Sequence, residues 1–277
     1  MKSETGTVLV PTFIVMLTLT AIVTGFLFMI SIQTKGIGWD IPSSKAIWLA
    51  EAGFQKAIWN LKTPTGSGGQ GETWTTNGTT ESLGDGTYTM VVARYDFALA
   101  ANGTSASDSP AQTNSTLGPS KAIDGDDSTY WESLNKPASN DPQDLIITFP
   151  YPLSINKVRF LATSSTNRPK DYEWAVSSNG STYTAVVSVT NNSATDVTDT
   201  FATQSNVSYL RLQTTKVGSG NNSVRVATFE AIGSKITSTG TVSSFNRKIE
   251  QTVVADDGSP QNQVAYNEPD WNEIVPA

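Results

Sequence analysis

Neither cysteine nor histidine occurs anywhere in the chain. The first absence removes disulfide staples, thiolate nucleophiles and Cys-ligated zinc. The second removes the commonest general base and any Ser-His-Asp relay. Paired carboxylates are the chemistry that remains, and on this composition the chain is not expected to be an enzyme. Basic residues are few as well: 18 Lys and Arg stand against 25 Asp and Glu, for a net charge of −7 and a pI near 4.6. A nucleic-acid partner calls for a basic footprint, and no Lys/Arg cluster provides one. Nucleic acid is therefore excluded as an expected partner.

What is present divides unevenly. The 277 residues suffice for two modest domains, each with a core of its own. From Thr7 to Ile32 there is no charged residue, and Val, Leu, Ile, Phe and Met dominate. About twenty apolar residues cross a bilayer as a helix, so this stretch is long enough to span. Gly36, Gly38 and Pro42 then predict a break in the helix. Ser43 or Ser44 can cap a restart. Ala46, Ile47, Ala50, Phe54, Ala57, Ile58 and Leu61 follow at three- and four-residue spacing, which is one apolar helical face. Pro64 and Gly66 end it.

Two segments of this region resemble type IV pilins. Met1 to Gly6, ahead of an apolar helix, is similar to the leader that prepilin peptidase removes after glycine. Trp48 to Trp59, with Ala-Glu-Ala-Gly at 50–53, resembles the helix of PilX-like minor pilins. The resemblance implies processing between Gly6 and Thr7, anchorage in the inner membrane, and later packing against other pilin subunits through the N-terminal helix. The fifth residue after that cleavage point is Pro11, where major pilins carry a glutamate. This favours a minor or tip-located subunit.

Beyond the helix, residues 64–86 read as a Gly/Thr/Ser-rich loop, with at most a short strand near Thr73 to Thr76. Gly86 to Asp96 is a strand by its β-branched and aromatic content, and Lys235 to Val242 and Asn246 to Val254 alternate as strands do. So long a gap inside one small sheet predicts an inserted domain. Within the gap, residues 145–149, 155–161, 172–176, 207–212 and 224–229 are short strand candidates, suiting an antiparallel sandwich.

The insert carries the sharpest motif in the chain, Lys121 to Trp131, with Asp-Gly-Asp-Asp at 124–127. Together with Asp171 to Gly180, Tyr209 to Leu212 and Ala227 to Gly233, it resembles the discoidin domains, or coagulation factor type C domains, and similar lectin-like modules. Asp124, Asp126 and Thr129 crowd oxygen atoms into one turn, the donor type that calcium prefers. The resemblance implies a structural Ca2+ held by the Lys121 carbonyl, the Asp124 carboxylate, Asp126, Thr129 through its carbonyl and hydroxyl, the Phe229 carbonyl and the Glu230 carboxylate. It places sugar contacts in the loops 132–141, 163–170 and 216–223, on Asn135, Asn167, Arg168, Asn221 and Asn222. Trp131 is expected in the core.

The expected fold is α+β: a long N-terminal pilin helix on a small antiparallel sheet, interrupted by an all-β jelly-roll sandwich. The divisions are a leader 1–6, an apolar half-helix 7–35, an amphipathic half-helix and first strand 36–96, the insert 97–233, and the second part of the sheet with the tail 234–277. The expected role is a pilus subunit that displays a calcium-stapled module for adhesion to carbohydrate, membrane-anchored first and later on a filament or the cell surface. The alternatives are a major pilin with a decorative insert and a surface lectin that does not assemble.

Overall fold

The computed structural model describes residues 9–219, 222–255 and 264–274. Among the described residues one α-helix, α1 (Leu9–Lys62), runs 54 residues with Pro42 inside it. The break expected between Gly36 and Pro42 is absent. A proline deletes one backbone bond and crowds the carbonyl four residues earlier, here that of Gly38. That cost is local, and the turns that follow are held by packing. Ala46, Leu49, Ala50, Phe54, Ala57, Ile58 and Leu61 are all buried there, while Trp48 faces outward. Ile47, expected on the apolar face, is only half-buried, and Leu49 occupies that face.

Among the described residues the side chains of the first half of α1 are exposed. Phe13, Met16, Phe26 and Met29 are exposed, as are their described neighbours up to Ile30. Among the described residues no helix is long and apolar enough to cross a membrane. The expected span from Thr7 to Ile32 lies partly outside them.

Eleven strands follow among the described residues: β1 (Thr76–Leu83), β2 (Gly86–Asp96), β3 (Ser105–Ser109), β4 (Trp131–Glu132), β5 (Gln143–Ala162), β6 (Pro169–Ser177), β7 (Thr184–Val189), β8 (Asp196–Val217), β9 (Arg225–Val242), β10 (Phe245–Ala255) and β11 (Val264–Ile274). The host sheet has the order β1-β2-β9-β10-β11, antiparallel throughout. Met90, Val92, Ile236, Ile249 and Val253 form its inner face and pack with Phe54 and Leu61 of α1. β1 occupies part of the expected loop. It is an edge strand of Thr and Ser with mostly exposed side chains, so it lacks the apolar alternation by which strands are recognised. A two-residue turn at Gly84-Asp85 (Gly84 φ 63°) pairs Leu83 with Gly86 and sets its register.

The insert is a sandwich whose long strands serve both layers. β5 pairs with β8 over Gln143–Thr148 and again over Lys157–Leu161, with register shifts between. Each strand thereby turns a corner from one layer to the other. Trp131, Trp174, Phe160, Phe229, Leu145, Ile147, Ile155, Leu210 and Leu212 fill the space between. The Trp174 and Phe229 rings meet edge-on at 5.0 Å. Three buried rings have paired polar tips: Trp131 Nε1 donates to Asp108, and Trp174 Nε1 and the Tyr172 hydroxyl both donate to Asp199.

Host and insert share one strand. The first part of β9, to Ala231, pairs with β5, and from Ile232 onward β9 pairs with β2. The last strand of the sandwich thus becomes the middle strand of the host sheet without a linker. The entry lies beside the exit, since Asp96 is the register partner of Ile232.

Candidate functional site

Two regions of the insert carry the expected chemistry, the acidic turn and a cluster of loops. The turn follows a 3-10 segment, Pro119–Ala122. Gly125 takes a φ of 81°, and a side chain there would also press on Leu99. Asp124 Oδ1 accepts the N–H of Asp126 at 3.0 Å, and Asp126 Oδ1 accepts both the N–H and the hydroxyl of Ser128. Those bonds, the hydroxyl first, hold the Asp126 carboxyl below the ordinary range. The Thr129 hydroxyl lies 2.7 Å from Asp124 Oδ2, 3.1 Å from the Asp126 carbonyl and 3.2 Å from the Lys121 carbonyl. Oxygen atoms do converge here. The Lys121 ammonium is 3.7 Å from Asp124 Oδ2.

The expected calcium ligand on β9, Glu230, is engaged by arginines. Glu230 Oε2 accepts Arg94 at 2.6 Å and Arg159 at 2.9 Å, so its charge is answered by two guanidiniums. Arg159 also grips Asp196 through both of its oxygens. This fork holds the Asp196 carboxyl below its usual range and raises the arginine further. The expected ligand on Phe229 is its backbone carbonyl, while its side chain lies wholly in the core. What ties the turn to β9 is the Thr228 hydroxyl, which donates to Asp127 Oδ1. Neither residue belonged to the expected set. Thr228 and Glu230 lie two apart on one face of a strand, and only the nearer one meets the turn. Among the described residues no group of three or more carboxylates gathers as one metal cluster.

The three expected loops do meet at one end of the sandwich. Ser133 exchanges bonds with Val224, Arg225 donates to the Asn167 carbonyl, and Gly218 donates to the Arg168 carbonyl. Asn167 is buried, and its amide donates to the Ser223 carbonyl while its oxygen accepts Ser164 and Thr166. Arg168 gives Nε to the Asn192 carbonyl and a terminal nitrogen to the Ser165 carbonyl. Both residues stitch loops together. Asn135 and Asn222 are more accessible, although their amides also donate locally, to Asp141 and to the Ser219 carbonyl. Asn221, Gly6 and Thr7 lie outside the described residues. Composition did not single out Tyr130, Glu132 and Arg225 beside these loops. Arg225 sits over the Tyr130 ring at 5.2 Å and bonds Glu132.

Turn, loops and sandwich can be placed against known proteins. Residues 102–229 match the F5/8 type C domain. The insert thus resembles a discoidin domain. No curated protein matches the chain. Among solved structures, chitosan-binding module 1 from a Paenibacillus sp. IK-5 chitosanase/glucanase is 22% identical, over 50% of this chain and 98% of that one, with a TM-score of 0.43. The family 32 carbohydrate-binding module of C. perfringens NanJ, solved with galactose, is 19% identical over 50% and 99% of the two chains, with a TM-score of 0.41. The discoidin match covers the insert and leaves α1 and the host sheet outside it.

Proposed function

We propose that the chain is a type IV pilus subunit of minor or tip type that presents its discoidin domain for adhesion to carbohydrate. The observation that carries this reading is the shared strand β9. It fixes the sandwich rigidly to the helix-and-sheet head, at the end away from the uncovered first half of α1. A helix apolar all round needs a membrane or other helices about it, and the reading gives it both in turn. The partners are the inner membrane before assembly and other pilin subunits afterwards. The accessible loop amides of Asn135 and Asn222, with Arg168 behind them, are the groups assigned to a glycan.

One observation favours a second reading, a major pilin with a decorative insert. Asn167 is buried, and the Arg168 guanidinium is engaged with two backbone carbonyls, so two of the expected donors already have partners. The test is double. The protein should shear off with surface filaments in trace amounts, and the full chain in detergent should bind on a glycan array. Filaments without array binding, and with this chain as the bulk subunit, select the decorative reading. Recovery only in membranes rejects assembly.

A further inference from the structure

Away from the loops, a cleft of about 310 Å3 runs along the seam between host and insert. The segment after α1 forms one wall, with Glu72 and Trp74. The other wall comes from Arg94 on β2, Lys157 on β5 and Thr198 on β8. Its volume is at the lower end for small-molecule sites. Host and insert each supply part of it, so neither unit has the cleft alone.

The floor is tied by Lys157 and Glu72, an ion pair across the seam with both side chains largely covered. Arg94 differs from its neighbours. Its side chain is 51% exposed, and it bonds Glu230 through one terminal nitrogen. A guanidinium carries five donors in a fixed fork, so most of this one is open to a second acceptor. Glu230 does not depend on Arg94, because Arg159 binds the same oxygen at 2.9 Å. Arg94 can therefore turn toward a ligand without leaving a bare carboxylate behind. Trp74 is half-buried, with its inner part against the host core. An indole beside hydroxyls suits the apolar face and the hydroxyl rim of a sugar ring.

From this juxtaposition we propose that the seam cleft binds a carboxylate-bearing sugar unit of the hexuronate class. Trp74 lies against the ring, Arg94 forks the carboxylate and Thr198 meets a ring hydroxyl. The site is separate from the loop cluster and does not rest on it.

Isothermal titration and saturation-transfer NMR on the full chain in detergent test this, with glucuronate and galacturonate as probes. Glucose and galactose are the neutral controls, and acetate controls for the carboxylate alone. The uronates should bind at least tenfold more tightly than any control. Arg94→Gln should abolish that preference with the melting temperature unchanged, and Arg94→Lys should restore part of it. Trp74→Phe should keep binding where Trp74→Ala loses it. Arg168→Ala, in the distal loops, should leave uronate binding intact while weakening any glycan hit that belongs to those loops. Equal binding of neutral sugars, indifference to Arg94→Gln, or no uronate binding by the folded chain would each overturn the proposal.

Discussion

Asp96 Oδ1 accepts the backbone N–H of Ala231 at 3.0 Å, across 135 residues of sequence. The same oxygen accepts the N–H of Ala98 at 2.8 Å. One carboxyl oxygen thus fastens the chain where it enters the insert to the chain where it leaves. Burial, the largest cause, and the nearby Glu230 push the Asp96 carboxyl up to about 7 against the two N–H bonds and Arg94.

A raised carboxyl makes stability fall as pH rises. The native state holds this proton up to about pH 7, whereas the unfolded chain releases it near 4. The contribution is complete below the unfolded value and disappears as pH passes through about 7. Asp96→Asn keeps an oxygen for both N–H groups and cannot ionise. Urea melts of the variant should lose the downward slope between pH 5 and 7. At pH 8 the variant should exceed the parent by a few kcal/mol at most, since each pH unit separating the folded and unfolded values is worth about 1.4 kcal/mol. An unchanged slope would assign the pH dependence to other groups.

Calcium should matter little. The acidic turn is already closed on β9 through Asp127 and Thr228, and Glu230 is occupied by Arg94 and Arg159. Melting temperatures in calcium and in chelator should agree within ~2 °C, since a ligand stabilises only by binding the native state. Thr228→Val should lower stability by ~1 kcal/mol, the usual worth of one such bond. A calcium-dependent rise of ~5 °C or more would re-establish a metal clamp.

Much of the architecture was legible, and the exceptions have physical causes. The buried face of α1 shows in its three- and four-residue spacing because a helix repeats every 3.6 residues. β2 and the host part of β9 alternate because one side of the host sheet is covered, whereas β10 is buried on both sides from Gln251 to Val254. β1 did not show, since an exposed edge strand has no reason to be apolar. The helix break was expected from Pro42 and the glycines, but a single missing bond does not outweigh the turns around it. Thr228 and Glu230 point to the same side of β9, so a two-residue periodicity does not distinguish which of them reaches the turn. The loop amides were visible as residue types, but their internal partners depend on how three distant loops meet.

Close approach of α1 to the sheet gives a steric test. A Cβ on Gly240 would overlap the Ala46 carbonyl oxygen and lie 2.5 Å from the Ala50 nitrogen, both backbone atoms. Neither can move without shifting the helix. Gly240→Ala should cost ~1–3 kcal/mol, the range for overpacking a tight core. The loss should appear first as faster exchange of the α1 amides from Ala46 to Leu61. Near-wild-type stability would mean that α1 rides loosely on β9.

The register of β2 and β9 permits a stronger test, removal of the insert. Asp96 and Ile232 stand opposite each other in an antiparallel pair, so an Asn-Gly turn can join them directly as a hairpin. The shortened chain keeps the host core of Phe54, Leu61, Met90, Val92, Ile236, Ile249 and Val253 intact. It loses the cover that Phe97 gives to Gly233, the packing of Val254 against the sandwich, and the tie from Lys157 to Glu72. Those losses should lower stability by ~1–3 kcal/mol, the usual range for a small set of lost contacts. The chain should still unfold in one cooperative step. Collapse to an uncooperative state would show that the sandwich is part of the host's folding unit and not a removable guest.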